Sequence, residues 1–316
     1  MSDGSFTVAA IQATAVTMDR EASTEKACKL IAEAAAKGAK LAAFSEAWLP
    51  GYGGHGWIEM TGPDWWNFAA DYNEQAVEVP SPTVDALCQA AKDANIDVVI
   101  GIVERDGRTR GTLYCSLLFI GREGEVLGKH RKLKPTGGER VQWGEGRGHS
   151  IRVYDRGYAK ISGLNCWEHF MPLSCFALMA QGTQVHIAAW PGREPAAPAA
   201  PEAMWPRQHL HSRAFASTGA CYVLCVGGVR KTEDIREKHG AFFGPYSGDS
   251  VIIDPRGEII AGPLHNEEGI LTAVVDPRLI RSAKAIVDCG GHYSRPDIFE
   301  LRVEGRTIYG GSDEQL

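Results

Sequence analysis

Strand-length apolar runs alternate with helix-length amphipathic stretches along most of this chain, and that alternation admits little besides a layered α/β fold. TVAAIQA at 7–13 reads as a first strand, and Ser23 precedes a helix with Ala27, Leu30, Ile31 and Ala34 on one stripe, ended by Gly38. LAAF at 41–44 is the next strand. Ser81 and Pro82 open a helix with Val84, Leu87, Cys88 and Ala91 at i, i+3, i+4 and i+7, and IDVVIGIVE at 96–104 is the strand after it. RDGRTRG at 105–111 reads as a hairpin turn, and YCSLLFI and EVLG are joined by a GREG turn. AKISGL, a helix from Pro172, VHIAAW, a helical stretch near 205–217 and CYVLCV resume the alternation. SVIIDPRGEIIAGP is a hairpin turning at Asp254 to Gly257, followed by the strand ILTAVV and a short helix from Pro277. Two segments interrupt the pattern: the aromatic-rich 48–68 and the Pro/Ala-rich 193–206. No linker or shift of composition divides the chain, so 1–303 reads as one domain and 304–316 as a short frayed tail.

Composition removes several classes of function. With 33 basic and 39 acidic residues, a formal charge of −6 and no long basic run, a nucleic-acid footprint is unsupported. No apolar run reaches the ~18 to 20 residues of a membrane span, so no membrane partner is expected. Eight cysteines lie scattered with no CxxC pair and no secretory signal, which fits a reducing cytoplasm. GYGGHG at 51–56 matches GxGxxG after a strand, but Gly62 and Pro63 interrupt the helix a dinucleotide site requires. His209 with His211, and Glu168 beside His169, have no accompanying HExxH or cysteine cluster. Neither a metal nor a cofactor is expected, and no GxSxG elbow occurs.

Chemistry concentrates at three strand ends. Cys166, in GLNCWEHFMP, follows an apolar strand and faces the helix that Pro172 opens, with Leu173, Phe176, Ala177 and Ala180 as its stripe. Amide N–H groups and the positive end of that helix are expected to favour the thiolate. Glu46 leaves the LAAF strand, and Lys132 follows the EVLG strand in KHRKLKPT. A carboxylate to take the thiol proton, a thiolate to attack an electrophilic carbon and an ammonium to stabilise developing charge make a metal-free acyl-transfer set. An unperturbed glutamate, with pKa about 4.3, is a poor base for a thiol, so Glu46 requires burial. Glu139 is a second carboxylate able to hold Lys132 and to hydrogen-bond Glu46. By residue type alone the same side chains read equally as a solvated loop glutamate, a surface lysine and a core cysteine. Trp48, Tyr52, Trp57, Trp65, Trp66 and Phe68 are candidate walls of an apolar pocket, or core packing; Tyr52 stands nearest Glu46, and Trp190 is a second pocket candidate.

FSEAWLPGY, GKHRKLKPTGGERVQWGEG, GLNCWEHFMPLS, AAWP and the late GHYSRPD resemble the signature segments of the nitrilase superfamily, in order from about residue 5 to about 303. The resemblance is strongest to its true nitrilase branch. It implies a four-layer αββα sandwich, Glu46 as general base, Lys132 as catalytic lysine, Cys166 as nucleophile and Glu139 as an additional structural carboxylate. It further implies hydrolysis of an organic nitrile, aryl or arylaliphatic given the aromatic stretch, to acid and ammonia through a thioimidate and a thioester. The Trp167 N–H is then a partner of Lys132 in the oxyanion site, and a homo-oligomer built from dimers is expected. Hydrolysis of a linear amide or of cyanide by the same residues is the alternative, and a catalytically silent filament or interaction subunit is the non-enzymatic one.

Overall fold

Most strands are apolar on both faces, as a sheet covered on both sides demands. A computed structural model describes residues 4–53, 62–192 and 207–311. The first part of the chain runs β1 (Phe6–Gln12), α1 (Arg20–Ala36), β2 (Ala39–Ala43), α2 (Pro63–Gln75), α3 (Pro82–Ala94), β3 (Asp97–Arg105), β4 (Leu113–Ile120) and β5 (Val126–Arg131). Next come β6 (Tyr154–Asp155), β7 (Lys160–Asn165), α4 (Pro172–Ala180), β8 (Val185–Trp190), α5 (Arg207–Gly219), β9 (Tyr222–Gly227), β10 (Val229–Arg230), β11 (Tyr246–Ile253) and β12 (Ile259–His265). The chain closes with β13 (Gly269–Val275), α6 (Pro277–Ile286), β14 (Leu301–Val303) and β15 (Arg306–Tyr309).

One sheet has the order β13-β1-β2-β3-β4-β5, and the other β10-β11-β9-β8-β7-β6 with β12 beside β11. The centre of each is parallel, β1 to β3 in the first and β7 to β9 in the second. Side chains sort by strand parity. Val8 and Ala10 join Leu41, Val99, Leu117 and Phe119 against Ile161, Ile187, Leu224 and Ile252 of the other sheet. Their neighbours Ala9 and Ile11 pack instead with Ile31, Leu87 and Ala91 of α1 and α3. Beyond the second sheet, Leu164, Ala188 and Val223 lie under Leu178 of α4 and Phe215 of α5. Helix, sheet, sheet and helix make the four-layer αββα sandwich.

Three local expectations change. Asp19, not Ser23, opens α1: its carboxylate accepts the Ala22 N–H at 3.0 Å, while Ser23 lies inside the helix with its hydroxyl on Val16 O. Gly62 and Pro63 do not interrupt a helix but begin α2, where proline's fixed φ suits the first turn. The supposed frayed tail is ordered in part, since Arg306–Tyr309 pairs with Leu301–Val303 and Tyr309 meets Phe176 edge-on at 5.0 Å. Glu304, at the tip of that hairpin, accepts the N–H groups of Gly148 and His149 at 3.1 and 3.0 Å. Trp57, residues 54–56 of the GYGGHG run and the 193–206 segment lie outside the described residues.

Candidate active site

Glu46 is placed by a turn laid on the first sheet. After β2 the chain runs along β3, Phe44 N–H donating to Val99 O at 2.9 Å and Leu49 N–H to Gly101 O at 3.1 Å. A Cβ on Gly101 would come within 2.1 Å of Ser45 O, so only glycine lets the 45–47 turn lie this close. The Glu46 N–H reaches Trp190 O on the second sheet at 3.3 Å and links the two rims. Lys132 follows β5 directly, its N–H on Cys115 O at 2.7 Å. Cys166 follows β7 directly, at φ 49°, and begins a tight turn over Cys166–Phe170 ahead of α4.

The side chains converge. Lys132 Nζ donates to Glu46 Oε1 at 2.7 Å and to both oxygens of Glu139 at 2.9 and 2.7 Å. All three residues are at most 1% exposed, so the ammonium and its carboxylates have exchanged water for one another. Tyr52 Oη donates to Glu139 Oε1 at 2.7 Å, and the Thr136 N–H to Oε2 at 2.6 Å. No hydrogen bond joins Glu139 to Glu46; the lysine separates two carboxylates that would otherwise repel. Cys115 Sγ, which sequence reasoning missed, donates to Glu46 Oε1 at 3.3 Å. Glu46 Oε2 is buried with no hydrogen-bond partner among the described residues.

Burial sets the protonation states. It pushes Glu46 up to about 7, opposed by Lys132 and reinforced by Glu139. Burial alone would lower Lys132, but the charges of Glu46, Cys166 and Glu139 hold it well above the ordinary lysine value. The Cys166 thiol is pushed well up, first by burial and then by Glu46, against Lys132 and a hydrogen bond from the Trp167 N–H. The sulfur is enclosed and belongs to the turn before α4, so its burial opposes the helix-stabilised thiolate expected from the sequence. A fixed cation, a carboxyl titrating near neutrality and a thiol with a nearby proton acceptor can pass one proton and expose a nucleophile.

A second carboxylate clamp escaped the sequence reading. Buried Glu168 accepts the Leu133 N–H at 2.8 Å, the Asn165 N–H at 2.9 Å and a 3.0 Å contact with His130 Nε2. Burial would raise its carboxyl, but His130 and the two N–H groups hold it below the ordinary value. It thus ties the residue after Lys132 to the residue before Cys166. No local spacing announces this contact.

The aromatic candidates separate. Trp48 and Phe68 are core residues, Trp66 is exposed, and Tyr52 stands edge-on to Trp143 and Tyr246 at 5.6 and 5.8 Å. The Trp167 ring is 43% exposed and packs on Phe170, so only its N–H faces the sulfur. The Trp190 ring stacks on His169 at 5.3 Å and its Nε1 donates to Ser212 in the helix layer. His169 Nδ1 in turn meets Cys166 O at 2.7 Å. His209 contacts Asp249 O and His211 stacks on Phe170. Among the described residues no group of three metal-binding side chains is arranged to hold an ion. A groove of about 750 Å³ beside Arg20, Cys28, Glu78 and Arg105 contains none of the cluster residues. A cavity of about 20 Å³ adjoins Glu46 and Tyr52.

Comparison with known proteins identifies the family. Residues 7–285 match the carbon-nitrogen hydrolase family. The chain is 47% identical over 304 residues to a protein named nitrilase 2 from an unknown prokaryotic organism, covering 95% of this chain and 93% of the other. It is 40% identical to an aliphatic nitrilase of Rhodococcus rhodochrous, with 95% and 83% covered, and 38% identical to nitrilase 3 of Arabidopsis thaliana, with 94% and 86% covered. Among solved structures, a nitrilase-superfamily member from Saccharomyces cerevisiae aligns with TM-score 0.70 at 22% identity, covering 90% and 94%. An amidase from Nesterenkonia sp. aligns with TM-score 0.65 at 20% identity, covering 89% and 94%. Those two likenesses show the fold. The chain belongs to the carbon–nitrogen hydrolase family, in the nitrilase branch of its superfamily, and is a hydrolase acting on carbon–nitrogen bonds other than peptide bonds.

Proposed function

We propose that the protein converts an organic nitrile and two waters into a carboxylic acid and ammonia, with Cys166 as nucleophile, Glu46 as general base, Lys132 as the charge-stabilising cation and Glu139 as the carboxylate that holds it. The observation that carries this reading is the buried Glu46–Lys132–Glu139 array with its raised carboxyl, beside an enclosed thiol. Glu46 takes the thiol proton as sulfur bonds the nitrile carbon, giving a thioimidate whose nitrogen accepts a proton at the Lys132 side. The first water adds to that carbon, ammonia leaves with the C–N electrons, and a thioester remains. A second water, deprotonated by Glu46, releases the acid and returns the proton to sulfur. The Trp167 N–H and Lys132 face the charge that develops at the reacting carbon.

Tyr52, Trp143 and Tyr246 supply an aromatic set beside the cluster, which supports an arylaliphatic nitrile. A relative named aliphatic nitrilase supports a second reading, a short aliphatic nitrile. Ammonia release across an aryl nitrile, an arylaliphatic nitrile, an aliphatic nitrile, the matching amides and cyanide separates these readings. Release from a nitrile with acid as product supports the proposal; turnover of the amides or cyanide alone overturns it. Eight unpaired cysteines fit a reducing compartment such as cytoplasm. No described helix is long and apolar enough to cross a membrane. A homo-oligomer built from dimers is part of the same proposal, and light scattering on the purified chain tests it.

A further inference from the structure

Glu46 Oε2 and Arg230 Nη2 are both buried near the cluster with no hydrogen-bond partner among the described residues. Glu46 is 1% and Arg230 5% exposed, so each of these atoms has lost bulk water without a protein replacement. Both side chains line one cavity, together with Ser45, Tyr52, Pro191 and Tyr246. Its water-accessible volume is about 20 Å³. A single water requires about 10–15 Å³ of such volume and two or more polar partners. The space suits one water and is too small for a substrate substituent.

The remainder of Arg230 is already committed. Its Nε donates to Gly244 O at 2.7 Å and its Nη1 to Tyr52 O at 3.0 Å, while the guanidinium lies 5.1 Å from the ring centres of Phe243 and Tyr246. Those contacts fix the plane of the group. Nη2 is the donor left over.

We propose that this cavity is a hydration site in which Arg230 Nη2 donates to one water and Glu46 Oε2 accepts from it, and that this water hydrolyses the acyl-enzyme. The inference rests on the Cys166 chemistry proposed above. The water oxygen bonds the thioester carbon while its proton passes to Glu46 Oε2. The C–S bond then breaks, the sulfur recovers that proton from Glu46, and the carboxylic acid departs. Water and thioester become acid and thiol with no other reactant. Arg230 is a positioning residue, acting through the water it orients.

Arg230→Met and Arg230→Lys in the full chain test this by quenched single-turnover kinetics. The ammonia-releasing phase should stay within about twofold of the parent, while deacylation slows at least about tenfold and acyl adduct accumulates on Cys166. Hydroxylamine, a nucleophile that does not depend on the cavity, should restore turnover of R230M as the hydroxamic acid, and R230K should recover part of the rate with water. Equal loss in both phases, or no loss in either, overturns the assignment, because a purely structural arginine would not separate them. A crystal structure of the parent protein gives a reading independent of variant folding. A water within hydrogen-bond distance of both atoms is expected, and an empty cavity, or a water touching only one atom, overturns the site. Parent enzyme that forms neither ammonia nor adduct would instead refute the Cys166 reading itself.

Discussion

Glu46 is the residue on which the chemistry turns, because its environment places its proton affinity between those of an ordinary carboxylate and a thiol. Burial raises the group to about 7, and the neighbouring Glu139 charge contributes to the rise. The base form therefore grows as pH increases, so kcat/KM should climb through a midpoint near pH 7 before reaching its plateau. Glu139→Gln removes the like charge and leaves Lys132 to pair with Glu46 alone. Both changes favour the ionised carboxylate, so the midpoint should move down by about one pH unit. The plateau should fall roughly 10- to 100-fold, because the amide keeps only one of the two oxygens that hold the ammonium and sets an NH2 in place of the other. A pH–rate profile of parent and variant checks both statements; a midpoint that rises or stays fixed contradicts the electrostatic account.

At the scale of elements, β2, β5 and β7 each hand over a reactive residue within three positions of the strand's last residue. Strand ends give fixed backbone positions, and Glu168 then couples two of them, through Leu133 N–H beside Lys132 and Asn165 N–H beside Cys166. Glu168→Gln keeps the volume but replaces a carboxylate that accepts several hydrogen bonds by an amide, which has one acceptor oxygen for the Leu133 N–H, the Asn165 N–H and the His130 contact. Stability should fall by about 1–3 kcal/mol, the cost of a buried donor left without an acceptor. Turnover should fall through kcat with KM within about twofold, because the clamp positions the reacting groups and does not line the cavity beside Glu46. Denaturant melts paired with steady-state kinetics measure this, and a variant with parental stability and kcat contradicts the clamp. Most strand and helix identities along β1 to β9 were legible from apolar runs and helical periodicity, whereas α2 and β6 were not. The start of α1 was not, because Asp19 and Ser23 are both good caps and only the tertiary contact of Ser23 with Val16 O decides between them.

Across the whole molecule, four layers set the cluster at the strand ends of two sheets, and the layer order was legible only through family resemblance. Alternating strands and helices are equally compatible with one sheet flanked by helices. The positions of Glu46, Lys132 and Cys166 stood out because each ends an apolar run, whereas Cys115, Glu168 and Arg230 carry no local mark. Their partners lie 69, 35 and 178 residues away. The terminal hairpin was misread as frayed because a short polar strand with glycines lacks periodicity; its order comes from Phe176 and from the N–H groups that Glu304 caps. Removing residues 300–316 should lower the melting temperature by about 5 °C, with the pH midpoint near 7 unchanged, because none of the described residues among them touches the cluster. An unaltered melting curve would mean the hairpin adds nothing to the fold. The central claim is that one sulfur, reached by groups from three distant segments, carries the acyl group. Intact-protein and peptide mass spectrometry of enzyme quenched during turnover tests it directly. The account predicts a substrate-derived acyl mass on the Cys166 peptide, and a folded Cys166→Ala protein with neither adduct nor turnover, a loss on the order of 10⁴-fold or more. Steady turnover with no covalent species, or an adduct on any other cysteine, contradicts it.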